Sequence, residues 1–256
     1  MKHTLIAILL AAAPALLTAQ GRGAQPPRSP KEGAPSDLTG YWVSLITEDW
    51  RWRMVTPLKG DSAGVPVNRE ARKIIEAWDP AKDEAAGLQC KSYGAAAIMR
   101  VPGRLHITWQ DDNTLRVETD AGTQTRLLHF EGTPPPNAEP TWQGYSAAKW
   151  EGGLQPFLGA LPFGLGPRVG VRSRSLEVVT TNLRPGYVRK NGVPYSARTI
   201  VTEYLDLFTE PNGDQHLMVM TTVTDPEYLA IPFVTTSDFK KEADGSKWDP
   251  TPCSAR

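Results

Sequence analysis

The sequence predicts a mainly β protein: an antiparallel meander closing into a lipocalin-like, calycin-like barrel with one or two short helices. Three observations predict it. Residues Arg104–Phe130 read as three alternating apolar and polar runs, separated by the turn triplets Asp111-Asp112-Asn113 and Asp120-Ala121-Gly122. A period of two between such turns means paired antiparallel strands with one apolar face. Thr199–Phe208 and His216–Thr224 flank Glu210-Pro211-Asn212-Gly213-Asp214 and read as a hairpin. Eight tryptophans against five methionines suit barrel interiors and ligand walls, where a large amphipathic ring is useful.

In chain order, residues 1–19 read as a secretory signal peptide. Lys2 and His3 give a basic start, Leu5–Leu17 is apolar and uncharged, and Thr18-Ala19-Gln20 offers small residues for cleavage. The run is short for a membrane span, and no later run approaches that length. Residues 20–36, rich in Gly, Pro, Arg and Ser, read as a flexible linker. Residues 37–256 form one barrel-like domain, and a periplasmic or secreted location follows. Lys plus Arg equals Asp plus Glu, 28 against 28. Such balance gives no global basic field for nucleic acid.

Tyr41–Thr47 reads as the first strand, with Trp50–Val55 continuing or pairing with it. Asn68–Trp78 is the clearest helix, capped by Asn68 and carrying Ile74, Ile75 and Trp78 on one face. Asp79-Pro80 ends it, and Ala81–Ala97 is compatible with a further short helix. The Pro-rich stretch Glu131–Pro140 is a loop. Gln143–Glu151, Leu176–Leu183 and Phe233–Phe239 complete the strands. Between them, residues 152–175 hold Phe157 and Phe163 among many Gly and Pro. Such a segment folds onto the domain's own core, closes over a pocket as a lid, or meets a partner or membrane. An even pair of cysteines in an exported chain, Cys90 and Cys253, suggests a disulfide.

Chemistry is less legible. The histidines after the signal, His106, His129 and His216, fall on three different strands without ligand spacing, so no metal is expected. No nucleophile elbow surrounds Ser146, no phosphate-binding glycine loop is present, and no cofactor is expected. His106, Arg116 and Glu118 share one face of the first hairpin, and Gln124 and Arg126 are candidates to continue it. Facing inward, Glu118 and Arg126 would be a buried pair; facing outward, which is the default, part of a solvated ladder. Tyr187–Ser196, with two Tyr and two cations around Asn191-Gly192, reads as a turn-rich loop at a pocket mouth or a hairpin tip.

Several strings resemble those of a widespread group of exported bacterial β-rich proteins of unknown function. They are Ser146-Ala147-Ala148-Lys149-Trp150-Glu151-Gly152, Gly192-Val193-Pro194-Tyr195-Ser196, Thr202-Glu203-Tyr204 and Asp225-Pro226. The resemblance covers roughly residues 87–233 and implies no particular activity. The segment after Gly153 departs from it. Gly40-Tyr41-Trp42 resembles the Gly-x-Trp opening of lipocalin-type barrels, whose Trp closes the barrel base.

Together these predict an exported barrel that binds a small, mainly apolar molecule in its cavity. Trp109, Arg126, Trp150, Tyr187, Arg189, Tyr204, Phe157 and Phe163 are the candidate binding residues. One alternative is a cofactor-independent isomerase, cyclase or dehydratase using Glu118, Glu151, Glu203 and Tyr195 as acid–base groups. Another is an interaction module of an envelope assembly. The oligomeric state is left open.

Overall fold

The computed structural model describes residues 28–151, 154–155, 171–172 and 174–256. The expected signal peptide, most of the insert, and the candidates Phe157 and Phe163 lie outside them. Thirteen strands are described: β1 (Gly40–Leu45), β2 (Arg104–Trp109), β3 (Thr114–Thr119), β4 (Gln124–His129), β5 (Tyr145–Trp150), β6 (Leu154–Gln155), β7 (Val171–Arg172), β8 (Leu176–Thr181), β9 (Gly186–Arg189), β10 (Val193–Tyr195), β11 (Ile200–Thr209), β12 (Gln215–Thr224) and β13 (Phe233–Glu242). Nine of them close into a barrel in the order β1-β13-β12-β11-β8-β5-β4-β3-β2; β9–β10 and β6–β7 are separate ribbons. The predicted barrel is present, but it is mixed.

Its one parallel contact has a geometric cause. Strands that alternate up and down cannot alternate all the way around an odd-numbered ring, so one neighbouring pair must run the same way. Here that pair is β4–β5. A parallel neighbour needs a connection that returns along the strand, and the Pro-rich residues 131–140 lie in it. The seam is short. It has two registered residue pairs, Leu128–Ser146 and His129–Ala147, against six on either side of it.

Turn parity decides what enters the bore. Across the first hairpin, Leu105 pairs with Thr119 and His106 with Glu118, so odd residues share a face. Leu105, Ile107, Leu115 and Val117 are buried, while His106 and Glu118 face outward at 3.3 Å. The second turn holds four residues between Thr119 and Gln124, which pairs odd with even: Val117 lies opposite Arg126. Arg126 therefore does not continue the face of Glu118, as the sequence suggested. It enters the bore among the apolar residues.

Two apolar clusters stack along the barrel. One fills the end where β2 finishes and contains Trp42, Leu105, Ile107, Leu176, Val178, Leu205, Leu217, Val219 and Phe239. Trp42 is wholly buried and its indole Nε1 donates to the Leu38 carbonyl at 3.0 Å. Trp109, Phe130 and Trp150 form a half-buried aromatic row on this cluster, with centroids 5.4 and 5.6 Å apart. Residues of the expected linker seat here too. Trp150 Nε1 donates to the Pro30 carbonyl, and Lys31 N to that of Asp112.

The second cluster caps the opposite end and joins Val201, Val223 and Phe233 of the barrel to Ala71, Ile75, Val188, Val193 and Tyr195. Its helix α2 (Arg69–Ala77) is held as predicted: the Asn68 side chain accepts from the backbone N–H groups of Glu70 and Ala71. Asp79-Pro80 does more than end α2. Asp79 caps a second helix, α3 (Pro80–Ala85), which follows the favoured order of an Asx cap and then Pro at N1. The expected strand at Trp50–Val55 is instead a helical turn, α1 (Trp50–Arg53); Asp49, at φ 52°, breaks the extended run. Three short helices thus replace the one or two expected.

The Tyr187–Ser196 loop is the ribbon β9–β10. Its turn glycine, Gly192, has φ +81°, and a Cβ there would fall 2.3 Å from Trp78 Cγ, so both backbone and space demand glycine. Cys90 and Cys253 are bonded as expected, tying the C-terminus to the segment after α3 across 163 residues. A loop of that length corresponds to about 5 kcal/mol in the chain-entropy account. The bond is compatible with an oxidising compartment. Among the described residues no helix is long and apolar enough to cross a membrane.

Candidate functional site

Four buried arginines stand out, one in the bore and three at the capped end, and they differ in how their charge is met. In the bore, Arg126 and Glu203 are each 1% exposed. Arg126 reaches from β4 over the parallel seam. Its Nη2 donates to Glu203 Oε2 at 2.6 Å and Thr180 Oγ1 at 3.3 Å, and its Nη1 to Glu203 Oε1 at 3.2 Å. Ser146 of β5 lies at 3.5 Å and shares a 2.8 Å hydrogen bond with Thr180. One side chain therefore links β4, β5, β8 and β11, three of which flank or form the weakly paired seam. A bidentate buried pair with added hydroxyls is the arrangement that offsets desolvation best. Leu176, Val178, Leu217 and Val219, also in the barrel, have none of their surface open to a water-sized sphere, so they border neither solvent nor a void.

At the capped end the arrangement is different. Arg53 of α1, Arg100 of the 3-10 turn Ile98–Arg100, and Arg189 at the end of β9 line one cleft with Trp52, Val55 and Lys190. The cleft is small, with a free volume of about 30 Å³, and it opens partly to solvent. All three arginines are at least nine-tenths buried. Arg53 pairs with Glu48 and donates from Nε to the Arg100 carbonyl at 3.0 Å. Arg100 pairs with Asp49 at 2.8 Å. Arg189 has no carboxylate in contact; its Nη2 donates to the Ala63 carbonyl at 2.9 Å, and its guanidinium lies over the Trp52 ring at 5.3 Å. Asp61, which accepts from Trp52 Nε1 at 3.2 Å, acts on Arg189 only from a distance.

The arrangement leaves positive charge unmet. Arg53 Nη2, Arg100 Nη1 and Arg189 Nη1 are buried without any acceptor. Burial first, and the neighbouring Arg100 charge second, bring the Arg189 pKa down to about 10. Burial and Arg100 also lower that of Arg53, although Glu48 opposes them. The protein holds these cations at a cost that an incoming anion would offset. The three nitrogens are closed to bulk water, so an anion in the cleft needs a side-chain adjustment of the kind binding sites commonly make.

The other candidates do not converge. Glu118 lies on the outer wall with His106 and Arg116. Tyr204 is on the outer wall as well, donating to Glu177 at 3.2 Å. Glu151 follows the last residue of β5, Trp150, which shares an aromatic row with Trp109. Tyr187 donates to Asp83 at 2.9 Å next to Lys91, and burial raises its pKa. Tyr195 is buried in the cap; its hydroxyl has no partner and burial raises its pKa. Of the four acid–base candidates, no two share a cavity among the described residues. Of the binding candidates among the described residues, only Arg189 lines the cleft.

Arg53 and Arg100 were not foreseen, because the three arginines are scattered at positions 53, 100 and 189 with no motif spacing. The dense Trp50-Arg51-Trp52-Arg53 string was the one local signal. No family model, curated protein or solved structure matches the chain.

Proposed function

We propose that the chain is an exported binding module, and that its ligand presents an oxyanion, phosphate or carboxylate, to the Arg53–Arg100–Arg189 cleft. The observation that carries this reading is three nine-tenths-buried arginines in one cleft, each keeping a guanidinium nitrogen without an acceptor. Guanidinium groups favour planar, bidentate oxyanions, and Trp52 offers an aromatic wall beside Arg189. The bore is a poorer seat for a ligand. It too holds buried polar atoms without a partner, Arg126 Nε, Thr221 Oγ1 and Ser237 Oγ, but the Arg126–Glu203 pair is bidentate and Leu176, Val178, Leu217 and Val219 beside it leave no accessible space. The scattered acid–base groups speak for binding over catalysis. The disulfide and the apolar, uncharged first segment support export.

Thermal unfolding in inorganic phosphate, against sodium chloride of equal ionic strength, tests the reading. A ligand that binds only the folded state stabilises by about 2.7 kcal/mol at 100 times its Kd. For a domain of this size that is a rise of roughly 5–10 °C. The rise should vanish in Arg189→Met. No phosphate-specific rise in the wild type, or an equal rise in Arg189→Met, overturns the assignment.

A further inference from the structure

The cleft has an apolar rim. Trp50, Met54, Val55 and Leu58 are 65%, 58%, 68% and 82% exposed, and they account for four of the eight large exposed hydrophobic residues described. Three of the other four, Ile200, Ile231 and Val234, lie near the starts of β11 and β13, at the same end of the barrel. Single exposed apolar residues need no explanation; a concentration of them beside a binding cleft does.

The rim is also held in place. Asn191, fully buried beneath it, donates from Nδ2 to the carbonyls of Leu58 at 2.9 Å and Asp61 at 2.7 Å. Arg189 holds the Ala63 carbonyl, and Pro57 is buried between the exposed side chains. The backbone is pinned from below while Met54, Val55 and Leu58 point to water. Val55 belongs to both features, since it also lines the cleft. Cations outnumber carboxylates here. Arg51, Arg53, Lys59, Arg100, Arg189 and Lys190 face Glu48, Asp49, Asp61 and Asp238, a local excess of two.

We infer that this end of the barrel docks on an anionic phospholipid surface. A lipid phosphate would enter the arginine cleft while Trp50, Met54 and Leu58 sink among the acyl chains. The inference rests on the oxyanion reading above and names the source of the anion. Charge complementarity selects the occupant, because a free polar phosphate gives the apolar rim no role and a neutral membrane gives the arginines none. Aromatic and aliphatic side chains set among cations are what interfacial anchors require.

Cosedimentation of the mature protein with phosphatidylglycerol and with phosphatidylcholine vesicles tests it. The wild type should bind the former at least tenfold more tightly. The triple substitution Trp50→Ser, Met54→Ser, Leu58→Ser should lower vesicle binding at least tenfold yet keep the melting rise in inorganic phosphate, which also reports that it folds. Arg189→Met should lose both responses. A phosphate response in a wild type that ignores anionic vesicles overturns the docking surface and leaves the oxyanion site standing. Vesicle binding that survives the triple substitution overturns it too, as does a triple variant that changes only the oligomeric state.

Discussion

The arginine in the bore and the arginines in the cleft are all at least nine-tenths buried and are differently served. Arg126 has a bidentate carboxylate and a hydroxyl within 3.3 Å. Arg189 has one carbonyl and an indole face. A buried charge met within the chain is part of the architecture. A buried charge left short beside an opening is a place for something from outside. Burial distinguishes neither, and each keeps one nitrogen without an acceptor, Arg126 Nε and Arg189 Nη1, so the carboxylate that Arg126 has and Arg189 lacks carries the assignment.

The buried pair in the bore should respond most strongly to substitution. Glu203→Gln leaves Arg126 buried without a counter-charge and should destabilise by about 3–5 kcal/mol in chemical denaturation. The double substitution Arg126→Met, Glu203→Leu removes both charges and should recover most of that loss, because well-packed apolar replacements of a buried pair are often neutral. If Glu203→Gln costs less than about 1 kcal/mol, Arg126 is not dependent on it and the seam is held by other means.

Reduction of the Cys90–Cys253 bond should come next, at about 2–5 kcal/mol. It anchors the C-terminal residues near the cleft: Lys190 donates to the Arg256 carbonyl at 3.3 Å and lies over the Tyr93 ring. The comparison sharpens if reduction weakens phosphate binding as well as the fold, since only the cleft side of the molecule is tied down this way.

Asp225 gives the anionic counterpart of Arg126. It is buried, and it accepts from Thr199 Oγ1 and from the backbone N–H groups of Ser196, Glu227 and Tyr228. Burial pushes its pKa up, but these four donors outweigh burial and hold it below the ordinary 3.8. A carboxyl with a depressed folded pKa contributes stability that is present above its unfolded value and lost as pH falls through the folded one. Asp225→Asn should therefore cost about 1–3 kcal/mol at pH 7 and flatten the wild-type decline in unfolding free energy below about pH 4.

How far the sequence could be read follows from what kind of signal each element leaves. Strands β2–β4, the β11–β12 hairpin, the Asn68 cap and the disulfide are local or countable, and all are legible. The inward turn of Arg126 was hidden in one fact, that four residues separate Thr119 from Gln124 and reverse the parity of pairing. Counting turn residues before assigning faces would have found it. The parallel seam follows only from the number of strands in the closed ring, which no single segment states. The cleft is harder still. Arg53, Arg100 and Arg189 come from α1, a 3-10 turn and β9, and nothing in their spacing brings them together. They meet because the helical cap folds over the barrel end. Glu203 and Arg126 are both candidates from the sequence, but the pairing expected there is Arg126 with Glu118 rather than with Glu203.

The smallest effect expected is the most discriminating. Arg189→Met in chloride buffer should change stability by less than about 1 kcal/mol, or raise it. The native state holds Arg189 as a cation although its pKa is lowered to about 10, and a cation whose folded pKa is depressed opposes folding at every pH where both states are charged. Removing it removes that opposition, together with its hydrogen bond to Ala63 and its packing on Trp52, which pull the other way. The two contributions oppose each other, so a small net is expected, whereas Glu203→Gln has no such compensation. A loss of 3 kcal/mol or more in Arg189→Met would place Arg189 with Arg126 among the structural charges, and the cleft would then have no unmet cation to offer an anion.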